Sequence, residues 1–204
     1  MHKNSHSKME WFKNTYLSTS SKLDILDVGS LDGNGNYNYS DIFDEKNWTY
    51  TGLDFQAGPN VDIVVTDIYN WFEIEDNTYD VVISGQFFEH LEFFWLTMSQ
   101  IERVLRPGGY VCIIAPSAGP RHGGKMPNCY LFYEDGLRAM AKYVDLEVIH
   151  ASVDEGEEAK PWNDACLVAH KAGEFNNKNT EELENRINNL EGKLDSILEA
   201  LNKK

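Results

Sequence analysis

The 204-residue sequence is short of cysteine, of basic residues and of long apolar runs, and each shortage closes off a class of protein. Its three cysteines, Cys112, Cys129 and Cys166, are odd in number and far apart, so they do not make a disulfide framework. None lies in a CxxC pair, which argues against a structural zinc site. Eighteen Lys and Arg stand against thirty-three Asp and Glu, a formal charge of −15. A field of that sign repels phosphate, so neither nucleic acid nor an anionic membrane surface is an expected partner. No stretch reaches the ~18 uninterrupted apolar residues of a membrane-spanning helix. Residues 1–22 are polar throughout and lack the apolar centre of a secretory leader, so a cytoplasmic protein in a reducing compartment is expected.

The chain does have core material: 42% of its residues are hydrophobic and 12% aromatic. Short runs rich in Val and Ile recur at residues 23–28, 48–53, 61–65, 79–83 and 110–114, then at 146–153 and 165–170. Near-continuous apolar strands of this kind are buried on both faces, as in a parallel sheet covered by helices. Leu91, Trp95, Met98, Ile101, Val104 and Leu105 fall at helical spacing and predict a helix over 88–105, stopped by Arg106-Pro107-Gly108-Gly109. A second helix is expected over 134–143, and a short one, a possible lid, over 9–17. The expected fold is α/β: a Rossmann-like, seven-stranded, mostly parallel sheet with helices on both faces, over residues 23–172.

At Gly173 the composition changes to a polar linker over 173–179. Beyond it Leu183, Ile187, Leu190, Leu194, Ile197 and Leu201 are spaced 4, 3, 4, 3, 4, a heptad pattern. A lone helix of this length is marginal in water. Residues 180–204 are therefore expected to form a coiled-coil-like helix that makes the chain a homo-oligomer; packing of the stripe on its own domain is the alternative.

In an open α/β sheet, ligands bind where strands end. The first strand leads into Asp27-Val28-Gly29-Ser30-Leu31-Asp32-Gly33-Asn34-Gly35, where glycine permits close backbone approach to a ligand. Asp54 ends the next strand, nineteen residues beyond Gly35, where a carboxylate can accept both hydroxyls of a ribose. The loop lacks the Lys-Ser/Thr ending of a phosphate cradle, and Asp27 and Asp32 flank it with negative charge. That balance disfavours pyrophosphate and favours a cationic nucleoside, S-adenosylmethionine over NAD.

These residues belong to an ordered set: Leu26-Asp27-Val28-Gly29-Ser30, Gly52-Leu53-Asp54, Thr66-Asp67, Tyr79-Asp80-Val81-Val82, Glu89-His90 and Val104-Leu105-Arg106-Pro107-Gly108-Gly109. The set resembles the class I S-adenosylmethionine-dependent methyltransferases, and more narrowly the methyltransferase type 11 group, over about residues 20–171. Leu31 departs from it, standing where a second glycine is usual. With Ser30-Leu31-Asp32 and Ser84-Gly85-Gln86 the chain is similar to a subgroup associated with glycan or cell-surface biosynthesis.

The resemblance implies roles position by position. Asp27 and Gly29 would border the methionyl part of the cofactor, with contacts from Ser30 and Gly33. Asp54 would hold the ribose and Phe55 cover the adenine. Asp67 and Ile68, at the end of the third strand, would meet the adenine amino group and edge, and Ser84, Gly85 and Gln86 would face the transferred methyl. Methyl transfer from a sulfonium is an in-line displacement in which alignment and exclusion of water supply much of the acceleration. An oxygen acceptor also needs a base, for which His122, in the loop after the fifth strand, and His90 have suitable chemistry, with Glu89 beside them. Arg121 and Lys125 suit an anionic acceptor group. Glu89, His90, His122, Asp164 and His170 are scattered, and no spacing specifies a metal site, so none is expected.

The function expected is O-methylation of a small molecule or glycan precursor. Two rivals remain: an NAD-dependent oxidoreductase, and a non-catalytic scaffold assembling through its C-terminal helix.

Overall fold

A computed structural model describes residues 3–33, 38–122 and 126–173. The linker beyond Gly173, the heptad segment 180–204, Asn34, Gly35 and Lys125 lie outside the described residues. The chain runs α1 (Lys3–Tyr16), β1 (Leu23–Val28), β2 (Trp48–Asp54), β3 (Ile63–Val64), β4 (Tyr79–Gly85), α2 (Phe94–Val104), β5 (Leu105–Pro116), α3 (Glu134–Tyr143), β6 (Glu147–Val153) and β7 (Asp164–His170). Short 3-10 turns at Phe88–His90 and Glu157–Ala159 complete it.

The strands form one seven-stranded sheet in the order β3-β2-β1-β4-β5-β7-β6. The first five run parallel and β7 is antiparallel to both neighbours. Side chains alternate across it, as a period of two requires. Leu26, Val28, Val82, Val111 and Ile113 face a core closed by α2 and α3. Leu23, Ile25, Val81, Ile83 and Cys112 face the other, closed by Met9 and Phe12 of α1 and by Tyr39, Ile42 and Phe43 of the β1–β2 connection.

The sequence placed α1 six residues too late. Ser5, Met9 and Phe12 are its buried residues, four and three apart, a stripe too sparse in apolar side chains to stand out. The helix expected over 88–105 is divided. Glu89 gives its carbonyl to the amides of Cys129 and Tyr130, at 2.8 and 3.2 Å, so the turn cannot propagate and α2 starts at Phe94. Glu89 and His90 therefore precede the crossover helix and do not open it. The Arg-Pro-Gly-Gly segment stops α2 as expected, yet it is also the start of β5, with Gly108 at φ 83°. There Arg106 joins Asp24 and Asp80, at 3.1 and 2.6 Å, across the amino edge of the sheet.

Phe12 is wholly buried between α1 and the sheet. Phe12→Ala should lower the unfolding free energy by about 3 kcal/mol or more, read from the midpoint of urea denaturation.

Candidate active site

The carboxyl ends of β1, β2 and β4 meet because the parallel register aligns Val28 with Leu53 and Asp27 with Ile83. At this edge the β1 loop folds under β2: the amides of Gly29 and Ser30 both donate to the Leu53 carbonyl, at 2.8 and 3.1 Å. Gly29 has φ 81°, and a Cβ there would lie 2.2 Å from the Phe87 ring. Glycine is required on both counts. Ser30 Oγ is buried and has no hydrogen-bond partner among the described residues. Gly33 is exposed at the loop's outer end.

Asp54 accepts the Gln56 amide at 2.9 Å and the Leu31 amide at 3.3 Å, tying the β1 loop to the end of β2. Burial raises its pKa against those hydrogen bonds. Asp27 is fully buried on the α1 face and accepts the Tyr50 hydroxyl at 2.5 Å. Tyr50 in turn receives the Asn60 amide at 3.1 Å, and the same amide nitrogen donates to the Ser30 carbonyl at 2.9 Å. Desolvation pushes Asp27 up to about 7, with the Tyr50 hydrogen bond opposing and the nearby Asp54 assisting. A buried acid of this kind gains stability from a cation placed beside it.

Phe55 is half-buried, its ring 6.4 Å from that of Phe87. The third strand is shorter than expected, Ile63–Val64, and the Val65 amide donates to the Asp54 carbonyl at 3.0 Å as part of its short ladder with β2. Asp67 is thus an exposed loop residue that caps the Tyr69 amide at 2.9 Å, while Ile68 packs on the core. Ser84 is wholly buried and donates to the Val28 carbonyl at 2.7 Å, so its hydroxyl locks β4 to β1. Gly85 lies against Tyr39: a Cβ there would be 1.8 Å from the Tyr39 hydroxyl oxygen. Gln86, at φ 59°, donates through Nε2 to Asp164 at 3.0 Å.

Beyond Gln86 the structure brings together the three side chains proposed for proton transfer. Glu89 is 1% exposed, and its Oε1 lies 3.7 Å from His90 Nε2 and 3.4 Å from His122 Nε2. His90 Nδ1 is held by the Pro127 carbonyl at 2.7 Å, and His122 Nδ1 lies 3.3 Å from the Pro120 carbonyl. The neighbouring Glu89 carboxylate raises the pKa of His122 against partial desolvation. The cluster opens through Glu89 and His122 into a cavity of about 360 Å³, walled also by Pro120, Arg121, Asn128 and Tyr130. Trp162 packs on His122 at 4.5 Å between ring centres.

One other candidate, His170, falls elsewhere. His170 pairs with Tyr110 at the amino edge, remote from the cluster, and Tyr16 packs there too. Trp11 lines a separate cavity of about 580 Å³ between α1 and the segment after β6. Sequence reasoning did not find Tyr39, Tyr50, Asn60 or Phe87. The one local signal was Gly52, opposite Asp27, where a Cβ would strike the Asn60 carbonyl at 2.0 Å.

The parallel order 3-2-1-4-5 closed by an antiparallel seventh strand, with acidic residues at the tips of β1 and β2, defines a Rossmann-like methyltransferase fold. The family model described as a methyltransferase domain matches residues 26–113. Together with the fold, that match makes the chain similar to the class I S-adenosylmethionine-dependent methyltransferases, whose cofactor is S-adenosylmethionine. Among solved structures it is similar to a SAM-dependent methyltransferase from Aquifex aeolicus, at 16% identity and TM-score 0.60, covering 81% of this chain and 90% of that one. A SAM-dependent methyltransferase from Methanosarcina mazei gives 15% and 0.57, covering 80% and 98%. The Burkholderia thailandensis 1,6-didemethyltoxoflavin-N1-methyltransferase, bound to 1,6-didemethyltoxoflavin and S-adenosylhomocysteine, gives 13% and 0.59, covering 83% and 85%. No curated protein sequence is significantly similar. Neither an oxidoreductase nor a silent scaffold finds support in these likenesses. No helix among the described residues is long and apolar enough to cross a membrane.

Asp27 makes stability depend on pH. Near pH 4 and below it is protonated when folded and when unfolded. Between about 4 and 7 only the unfolded chain gives up the proton, so this residue's contribution falls through that window and levels off above it. Asp27→Asn keeps an acceptor for Tyr50 and removes the penalty. The variant should exceed the wild type by on the order of a few kcal/mol at pH 8 and match it near pH 4, measured by urea denaturation across that range.

Proposed function

We propose that the protein transfers the methyl group of S-adenosylmethionine to a hydroxyl of a small molecule or saccharide docked over the loops after β4 and β5. One observation carries this reading: a buried carboxylate, Glu89, faces two imidazoles beside an open cavity, a few residues beyond Gly85 and Gln86. A nitrogen or sulfur nucleophile with a free lone pair needs no such group, whereas a hydroxyl must lose a proton as it attacks.

When bound, S-adenosylmethionine supplies the electrophilic methyl. Gly29, Ser30 and Gly33 take its methionyl part, for which the Ser30 hydroxyl, without a partner among the described residues, and the buried carboxyl of Asp27, which a cation beside it would ionise, are suited. Asp54 receives the ribose hydroxyls, since each of its oxygens has a lone pair left beside the amide it accepts. Phe55 covers the adenine, with Asp67 and Ile68 at its edge. Gly85 and Gln86 border the methyl, and Ser84 acts on them indirectly through its bond to Val28. His122 is the most exposed member of the cluster, so in metal-free protein it takes the acceptor proton while Glu89 stabilises the imidazolium. Arg121 binds an anionic substituent of the acceptor. The heptad spacing of residues 183–201 supports self-association through the C-terminal segment.

The test is incorporation of label from methyl-tritiated S-adenosylmethionine into a panel of sugars, nucleotide sugars, phenols and amines. Hydroxyl-bearing acceptors should be labelled, and transfer confined to nitrogen would overturn the reading. His122→Asn should lower kcat by about 10²–10⁴-fold with little change in S-adenosylhomocysteine affinity. Asp54→Ala should weaken that affinity at least about tenfold in calorimetric titration, since it leaves ribose hydroxyls without their acceptor.

A further inference from the structure

Glu89 is buried without the hydrogen-bond donors that a carboxylate needs: both of its oxygens are buried and neither has a donor among the described residues. The imidazole nitrogens that face Oε1, at 3.4 and 3.7 Å, stand beyond good N–H···O distance. A buried, unpaired carboxylate is costly, and folding normally supplies it with a donor or a cation. Two protonated imidazoles converging on one oxygen would repel each other; two neutral ones would bring their lone pairs together.

The carbonyls around the cluster decide between these. His90 Nδ1 points at the Pro127 carbonyl and His122 Nδ1 at the Pro120 carbonyl, which favours the proton on Nδ1 in both rings. Each Nε2 then presents a lone pair toward Glu89. One nitrogen from each ring and one carboxylate oxygen all lie within 4.8 Å of one another. Ligands about 2.0–2.2 Å from a common tetrahedral centre are about 3.3–3.6 Å apart, close to the two Glu89–imidazole separations seen here. Backbone carbonyls holding Nδ1–H are the usual outer support of metal-bound histidine.

We infer that Glu89, His90 and His122 form a site for one divalent transition-metal ion, two imidazoles and one carboxylate, with its remaining coordination directed into the cavity beside Tyr130. Two nitrogen ligands select Zn²⁺, Fe²⁺ or Co²⁺ over Mg²⁺ and Ca²⁺, which prefer oxygen. The open position is the mark of a site that admits a water or a substrate oxygen. With the cation bound, both imidazole lone pairs are committed to it and His122 is a ligand rather than the base. The site stands on the geometry of three side chains and does not depend on the identity of the methyl acceptor.

The test uses the full chain, purified without a histidine tag, stripped with chelator and titrated with Zn²⁺ calorimetrically and with Co²⁺ by visible absorption. Wild type should bind one equivalent of each at micromolar or tighter affinity, with the absorption bands of low-symmetry, four- or five-coordinate Co²⁺ carrying nitrogen ligands. Glu89→Gln and His122→Asn should each weaken binding by about 10- to 100-fold and reduce those bands. The melting temperature of metal-free protein reports folding, and Glu89→Gln should melt no lower than wild type because it removes an unpaired buried charge. If Glu89→Gln fails to fold, His122→Asn in the surface loop decides the matter. Binding that is absent in wild type, or unchanged in the folded variants, overturns the site. Neither readout uses S-adenosylmethionine, so that failure would leave the methyl-transfer reading to its own test.

Discussion

Of the four carboxylates buried at one edge of the sheet, Asp27, Asp54 and Glu89 set the terms for everything above them, while Asp164 is bonded to Gln86. Removing a carboxylate from water is unfavourable unless something compensates, and the molecule answers differently for each. Asp54 is compensated by two backbone amides, and so becomes the fastener between the β1 loop and the end of β2. Asp27 has a single tyrosine hydroxyl, and holds its proton up to near neutrality. Glu89 has no donor within hydrogen-bond reach among the described residues, and two imidazoles turn toward it instead. The acidic edge is thus graded from satisfied to unsatisfied, running from β2 through β1 to the turn after β4.

Glycine and aromatic residues give that edge its shape. Phe87 presses on Gly29 and Tyr39 on Gly85, so the backbone at the tips of β1 and β4 is held by rings as well as by its amide hydrogen bonds to Leu53 and Ile114. Tyr39 also meets Ser5 of α1 at 2.6 Å through its hydroxyl. The N-terminal helix is thereby linked to the carboxyl end of β4 through one buried phenol. The packing of α1 and the geometry beside Gly85 are parts of one arrangement.

Much of this was legible from residues alone, for a physical reason. Strands buried on both faces must be apolar along their whole length, so β1, β4, β5 and β7 announce themselves in runs of Val, Ile, Leu and Ala. Asp54 was legible because a carboxylate closing such a strand has few other reasons to be there. β3 was overread because β-prone residues do not say how many of them pair, and only Ile63 and Val64 align with Leu53 and Asp54 of β2. The helix before β5 was overread in the same way, since helical spacing continues through Glu89 while its carbonyl is claimed from elsewhere in the chain. The convergence of His122 on Glu89 is wholly tertiary: it needs the loop after β5 to fold back over the turn after β4, and no local pattern encodes that. Serine at position 84 was read as facing the methyl because its strand position is right; the carbonyl of Val28 takes its hydroxyl.

The reversed direction of β7 has one more effect. Its first residue, Asp164, lies at the carboxyl edge of the parallel strands beside Gln86, and its last, His170, lies at the opposite rim beside Tyr110. There the Lys171 carbonyl receives the Gly108 amide at 2.9 Å, and Gly173 abuts Pro107. Gly173, the last described residue, therefore lies at the end of the sheet opposite Gln86 and Asp164, and β7 spans from one rim to the other.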